Sequence, residues 1–291
     1  MTGRYKYKTV INKCCIIGLG LLGGSLGLAI GENKFAKERW GMDCCRMTEE
    51  KALRMGAIDH SGSLGEALDG ADLVILAIPV GKIPFTLQTI VPFLGAETIV
   101  TDTGSTKRNV LEAMFTIKGS CKPVGGHPMV GSEKSGIISA RANLFLQSTY
   151  YLVPVGEERN REVKIMKKFI TALGANPVVI DAKVHDRVMA PLSHLPQLVA
   201  LGLVSVLQQY SLEIEDIEKY MGKGFLDTTR IAAGNSSLWH DIFNNNKDNL
   251  FEAVSFLLKE IDNIQKLLSE SDRQALIKII EDKAVFRRSI S

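Results

Sequence analysis

A net excess of charge is almost absent from this 291-residue chain, in which 35 lysines and arginines stand against 32 acids for a formal charge of +3. A chain that grips a nucleic-acid backbone carries a clustered basic excess, so nucleic acid is not an expected partner. Cysteine is scarce as well. Cys14, Cys15, Cys44, Cys45 and Cys121 form an odd set with no C-x-x-C spacing, which suggests neither a disulfide framework nor a zinc ribbon. They read as small buried hydrophobes, with a redox role open for Cys44 and Cys45 because they sit beside a candidate cofactor pocket. The N-terminal region also lacks an unbroken apolar run of membrane-spanning length. Residues 14–30 follow a basic stretch and imitate a signal peptide or anchor, but they contain Gly18, Gly20, Gly23, Gly24 and Gly27. The run falls short of the roughly 20 residues of a membrane helix and shows no A-x-A cleavage pattern. The expectation is a soluble, cytoplasmic globular protein with no membrane partner.

What is present is a rhythm. From residue 12 to residue 181, short β-rich runs alternate with amphipathic segments of helix length, the pattern of strands joined by crossover helices in a mostly parallel sheet. The strand candidates are CCIIG (14–18), ERWGMD (38–43), ADLVILAIP (71–79), TIVTDTG (98–104), CKPVGG (121–126), TYYLVPV (149–155) and PVVID (177–181). ADLVILAIP is nearly continuous in apolar residues, as a central strand covered on both faces would be. After Asp181 the alternation stops and periods near 3.6 take over for about a hundred residues. The expected architecture is an α/β domain over 1–182 followed by an all-helical domain over 183–291. Within the latter, LVALGLVSVL (198–207) is apolar nearly all round, so it is expected to lie in a core or against another subunit. About a hundred residues would struggle to cover it alone, which favours a homodimer built through this domain.

Gly18, Gly20 and Gly23 spell G-x-G-x-x-G directly after a strand and at the opening of a helix. The first glycine permits a tight turn, the second lets the backbone approach a pyrophosphate, and the third lets helix and strand pack closely. The helix N-terminus then offers free N–H groups and a positive dipole end to the phosphates. Asp43 ends the second strand twenty residues after Gly23, where a carboxylate can accept from both hydroxyls of an adenine ribose and would repel a 2′-phosphate. NAD is therefore expected over NADP, a preference tempered by nearby Arg46. The expected cofactor contacts are Gly18, Leu19, Gly20, Leu21, Leu22, Gly23, Asp43, and Ile78 with Pro79 at the end of the third strand candidate.

Two segments, TDTGSTK (101–107) and GGHPMVGSEKSG (125–136), follow strands and so lie where an open parallel sheet binds its ligands. His127 sits between Gly126 and Pro128, read here as a glycine-rich loop that restrains its backbone and leaves its imidazole uncrowded. A dehydrogenase acting on an alcohol needs a group to take the hydroxyl proton as hydride leaves, and histidine has the side chain whose unperturbed pKa lies near neutrality. A satisfied structural histidine is the ordinary alternative.

The strings GLGLLGGS, DTGSTK, GGHPMVGSEKSG, HDRVMAPLSHLP and FLDTTRIAAGNSSLWHDIFNNN, in this order, resemble the prephenate dehydrogenase family, which includes the arogenate dehydrogenases of tyrosine biosynthesis. The resemblance spans almost the whole chain, and GGHPMVGSEKSG with SHLP and TTRIA is far more specific than the glycine fingerprint. It implies a Rossmann-type domain followed by an all-helical dimerisation domain, and an NAD-dependent oxidative decarboxylation of prephenate to 4-hydroxyphenylpyruvate, or of arogenate to tyrosine. It also implies roles. His127 would hydrogen-bond and deprotonate the ring hydroxyl, and Ser105 would orient that hydroxyl or the histidine. Arg230 would hold the dianionic substrate, a task that suits a planar guanidinium because it forms two parallel hydrogen bonds to a carboxylate; a helix-surface ion pair is the alternative. His194, Ser132, Glu133, Asp227 and Trp239 would line or brace the pocket, although each has an ordinary structural explanation too.

One departure concerns specificity. Many prephenate enzymes read S-H-L-P-H, whereas Gln197 follows Pro196 here. Glutamine keeps hydrogen bonding but cannot become cationic, so arogenate stands as a rival to prephenate. His60, His185 and His240 show no spacing that converges on a metal, and no metal requirement is expected. A β-hydroxyacid or 6-phosphogluconate-type dehydrogenase would also join a Rossmann-type domain to a helical one, but it would use a lysine on the helical side where this chain offers His127 on the sheet side. A non-enzymatic dinucleotide sensor would leave His127, Ser105 and Arg230 without a shared purpose.

Overall fold

The computed structural model describes residues 11–131, 134–156 and 161–290; Ser132 and Glu133 lie outside the described residues. The first part runs β1 (Ile11–Ile17), α1 (Leu21–Asn33), β2 (Ala36–Met42), α2 (Arg46–Arg54), α3 (Leu64–Leu68), β3 (Leu73–Leu76), α4 (Ile83–Ile90), β4 (Ile99–Asp102), α5 (Arg108–Ile117), β5 (Lys122–Pro128), β6 (Thr149–Pro154), α6 (Arg161–Ala172) and β7 (Asn176–Val179). All seven strand candidates appear, joined in one sheet of order β2-β1-β3-β4-β5-β6-β7. The first five strands are parallel, β6 runs antiparallel to β5, and β7 is parallel to β6. The chain leaves β1 for β2 on one side and returns to β3 on the other. This reversal opens a crevice at the carboxyl ends of β1 and β3, where such sheets take ligands.

β3 shows why the apolar run at 71–79 is continuous. Leu73 and Ile75 belong to a core with Ile16, Leu26, Ile30, Val124 and Phe169, while Val74 and Leu76 belong to the opposite core with Val100, Leu87 and Met114. Both faces are covered by helices, so both alternations must be apolar. The strand itself is shorter than 71–79, because Asp72 turns its carboxylate to the N–H groups of Asn12 and Lys13 and the chain departs toward the crevice after Leu76. Of the cysteines, Cys14, Cys15 and Cys121 are buried as expected, whereas Cys44 is exposed and Cys45 half-buried, both in the loop after β2.

The second part is helical: α7 (Ala182–Met189), a π-turn (Ala190–His194), α8 (Leu195–Tyr210), α9 (Lys223–Thr229), α10 (Ser236–Asn245), α11 (Lys247–Ser269) and α12 (Arg273–Ser289). Asp181 starts α7 by accepting the N–H groups of Lys183 and Val184, an N-cap that satisfies two otherwise unpaired donors. Pro191 has no N–H to give, and the helix absorbs this with a wide turn closed by Leu195 N–H onto the Ala190 carbonyl. Such π-turns occur often at functional sites, and this one carries His194. The apolar run 198–207 is not buried within one chain, since Leu203 and Val206 are 37% and 55% exposed.

Candidate active site

The fingerprint turn can be tested glycine by glycine. Gly18 has φ +93°, and a Cβ there would stand 2.4 Å from the Ala77 carbonyl oxygen. A Cβ on Gly23 would stand 1.8 Å from the Gly18 carbonyl oxygen, so the helix could not sit this close to the turn. Around Gly20 a Cβ would meet nothing within 4 Å, which leaves open room at the N-terminus of α1, where no side chain caps the helix. The free N–H groups and the open space fit a pyrophosphate. Leu19 is buried in the core, so only its backbone can serve a ligand, and Leu21 and Leu22 are half-buried in the first turn. Ile78 and Pro79 follow β3 at the same edge, half-buried and exposed respectively. The Asp43 carboxylate accepts Leu19 N–H and Cys45 N–H, both at 2.9 Å. It therefore ties the fingerprint turn to the loop after β2, and the oxygen that accepts Leu19 N–H keeps a lone pair for a ribose.

His127 is not in a loop, contrary to the sequence reading. It is the penultimate residue of β5, paired with Tyr151 of β6, because the antiparallel neighbour extends the ladder through Pro128. Gly126 is needed for a different reason than loop freedom: a Cβ there would lie 2.4 Å from the Asp102 carbonyl oxygen on β4. Asp102 clamps both candidate segments. One of its oxygens accepts Gly126 N–H at 2.9 Å and the other accepts Gly104 N–H at 2.7 Å and pairs with Lys107, with both side chains fully buried. Burial pulls the Lys107 ammonium down from its ordinary range, against the pull of Asp102. Ser105 lies half-buried between Gly104 and this pair.

The sequence reading set His185 aside, yet its Nε2 lies 2.9 Å from His127 Nδ1, and its Nδ1 lies 2.8 Å from the Asp186 carboxylate. Asp186, on α7, also accepts Lys107 N–H at 2.7 Å and Arg108 N–H at 3.0 Å. It thereby caps α5 from the helical part of the chain, because α5 has no side-chain cap of its own. Asn246 extends the network, its amide nitrogen reaching the Asp186 carbonyl at 2.7 Å and His194 Nδ1 at 3.1 Å. No spacing rule could have found these partners, which come from segments 52 to 79 positions apart. The doublet His185-Asp186 was the only local signal.

His194 and Gln197 are both 1% exposed, and among the described residues His194 Nε2 and Gln197 Oε1 have no hydrogen-bond partner. Buried polar atoms left in this way are costly unless a ligand or water completes them. The Trp239 ring stands 6.5 Å from that of His194, nearly perpendicular to it. Arg230 and Asp227 are exposed, Arg230 opening the turn that packs against α8, the helix of Gln197. The structure thus links His127, His194 and Trp239 through His185, Asp186 and Asn246, and brings the Lys107 segment to the same point. Burial first, then His185, Lys107 and His194, push the His127 imidazole well below its usual range. Burial likewise takes His194 down to about 4. Both rings are neutral at physiological pH, and a neutral imidazole can accept a proton. Among the described residues no group of three or more His, Cys, Asp or Glu side chains is placed to hold a metal ion.

Known proteins share the two-part plan. Residues 26–179 match the family description "Prephenate dehydrogenase, nucleotide-binding domain" and residues 181–282 match "Prephenate dehydrogenase, dimerization domain". A prephenate dehydrogenase of Bacillus subtilis is 32% identical over 275 residues, covering 94% of this chain and 74% of the relative. Among solved structures, prephenate dehydrogenase from A. aeolicus in complex with hydroxyphenyl propionate and NAD+ superimposes with a TM-score of 0.88 at 30% identity, over 96% of this chain and 98% of that one. A Synechocystis arogenate dehydrogenase gives 0.80 at 26% identity, over 96% and 100%. With a fingerprint turn that leaves room for a dinucleotide, a buried imidazole at the carboxyl end of β5 in the same sheet and two matched domains in the right order, the chain belongs to the prephenate dehydrogenase family.

Proposed function

We propose that the protein catalyses the NAD-dependent oxidative decarboxylation of prephenate to 4-hydroxyphenylpyruvate, as a cytoplasmic homodimer acting on a small molecule without nucleic-acid or membrane partners. The observation that carries this reading is the buried, neutral His127 at the carboxyl end of β5, beside the crevice that the fingerprint opens. When bound, NAD supplies the hydride acceptor. His127 takes the ring hydroxyl proton as hydride leaves the carbon that bears it. The incipient ketone then serves as the electron sink for loss of the ring carboxylate as carbon dioxide, and aromatisation drives the step. Ser105 orients the hydroxyl, Arg230 holds a substrate carboxylate, and Asp227 and Trp239 line the pocket. Residues 1–182 carry the cofactor, and residues 183–291 complete the substrate pocket and the dimer.

His194 has a definite role in this reading. The amide nitrogen of Asn246 donates to its Nδ1, so its Nε2 bears the proton and presents a buried donor to a substrate oxygen. NAD is preferred to NADP because Asp43 occupies the ribose side, while Arg46 is exposed and pairs with Glu50 at 3.5 Å. A second reading, arogenate, is favoured by Gln197, whose buried oxygen lacks a donor that an ammonium group would provide.

A spectrophotometric panel crossing NAD and NADP with prephenate and arogenate tests the proposal. NADH formation with prephenate is expected, and a tenfold or larger preference for arogenate overturns the substrate assignment. His127→Asn is expected to lower kcat by about a hundred- to ten-thousand-fold while keeping NAD affinity. Retained turnover overturns the role of His127.

A further inference from the structure

A base needs its lone pair on one definite nitrogen, and the buried groups behind His127 decide which. The Asp186 carboxylate accepts two backbone N–H groups, from Lys107 and Arg108, and has the Arg108 guanidinium at 3.4 Å. It sits at the start of α5, where a helix favours an anion. Although burial opposes ionisation, the hydrogen bonds from His185, Arg108 and Lys107 hold it below the usual carboxylate range. An ionised carboxylate has no proton to give, so the 2.8 Å contact with His185 Nδ1 requires that nitrogen to carry one. A neutral imidazole has a single N–H. Where His185 carries that one proton, its Nε2 is a lone pair, and the 2.9 Å contact with His127 Nδ1 requires His127 to donate there. The remaining nitrogen of His127, Nε2, is left bare.

We infer that His185 and Asp186 are positioning residues that lock His127 in its Nδ1–H tautomer and so present Nε2 as the base; this rests on the reading of His127 as the proton acceptor. The surroundings hold the ring between them. Tyr151 stands edge-on to His185 at 5.3 Å between ring centroids, and Asn246 ties the Asp186 backbone to α11. During turnover a single proton moves, the substrate O–H bond breaking as His127 Nε2–H forms. The Nδ1–H stays donated to His185, beyond which lies the Asp186 charge. Because Asp186 also caps α5, the tautomer is set only when the helical part is docked on the sheet.

The direct test is a long-range proton–nitrogen correlation spectrum of the full-length protein labelled with 15N-histidine, recorded near neutral pH and assigned with His127→Asn. The expected result is a protonated Nδ1 and an unprotonated Nε2 on His127. A protonated Nε2, alone or together with Nδ1, overturns the inference whatever the turnover. Three substitutions read the consequence. His185→Leu removes acceptor and donor together and is expected to lower kcat about a hundredfold with KM and NAD affinity within about threefold. His185→Gln keeps an oxygen for His127 and an N–H for Asp186 and is expected to recover kcat to within about tenfold of the parent. Asp186→Asn turns the donor direction around, and the corresponding exchange in a Ser-His-Asp triad costs about 10⁴ in kcat through the wrong tautomer. Equal losses in the Leu and Gln variants, or a loss confined to KM, overturn the positioning role. If either variant fails to fold, the spectrum of the unsubstituted protein decides alone. The expected spectrum together with undiminished turnover of His127→Asn leaves the lock standing and removes the base assignment instead.

Discussion

At the scale of single residues, environment rather than identity makes His127 a candidate base. An exposed imidazole titrates near pH 6.5 and would be partly protonated in a slightly acidic cell. Burial, His185, Lys107 and His194 all disfavour its cationic form, and the Asp186 carboxylate meets the ring through His185. A lowered pKa means that the proton-accepting form persists below pH 6.5. The acid limb of kcat/KM, which reports the free enzyme, is therefore expected below that value, with activity level above it until another group titrates. A limb at or above 6.5 in a pH-rate profile contradicts this environment. The residue was legible in GGHPMVGSEKSG because a histidine between glycine and proline after a strand is unusual. Its partners were not legible, since hydrogen bonds between β5, α7 and α11 depend on how the two parts dock.

At the scale of elements, the turn between β1 and α1 separates two reasons for glycine. Gly23 is required by the fold: a methyl group there meets backbone at 1.8 Å, and overpacking of that kind costs about 1–3 kcal/mol or more. Gly20 is required by the ligand, since a methyl group there meets open space and its φ of −69° suits alanine. Gly23→Ala is expected to lower the thermal midpoint by about 3–10 °C. Gly20→Ala is expected to leave the midpoint within about 2 °C and to weaken NADH binding at least about tenfold, as read by fluorescence titration. Equal stability losses in both would show that the space at Gly20 is not a cofactor's. The spacing alone named the three glycines, but only the close approaches among Gly18, Gly23 and Ala77 separate the two roles.

At the scale of the whole molecule, the helical part offers more apolar surface than one chain can cover. The run Ala182–Tyr210 is long and apolar enough by composition to cross a membrane, but only 22% of its most apolar window is buried. Its first half carries His185, Asp186, His194 and Gln197 inward. The second half exposes Leu203, Val206 and Tyr210, and Phe256 of α11 is also exposed. Pro191, Leu195, Ala253, Phe256 and Leu257 line an apolar groove between the two helices. A patch of this kind marks an association surface, and a second copy is the occupant argued above. The double substitution Leu203→Asp, Val206→Asp is expected to halve the sedimenting mass while leaving the far-ultraviolet spectrum unchanged. An unaltered mass, or a single-chain mass for the parent, refutes the dimer.

The sequence by itself determined the elements and the ligand-bearing edge of the sheet. Both follow from local causes: apolar periodicity selects strand or helix within a few residues, and the G-x-G-x-x-G turn needs only its own backbone. It also named His127, His194, Gln197 and Arg230. Tertiary structure alone decided that β5 continues through His127, because β6 pairs alongside it. Docking decided that Asp186 caps a helix beginning at Arg108 and stands behind two histidines in line. Proton placement in that line depends on buried hydrogen bonds between distant segments, and those exist only once the helical part closes onto the sheet.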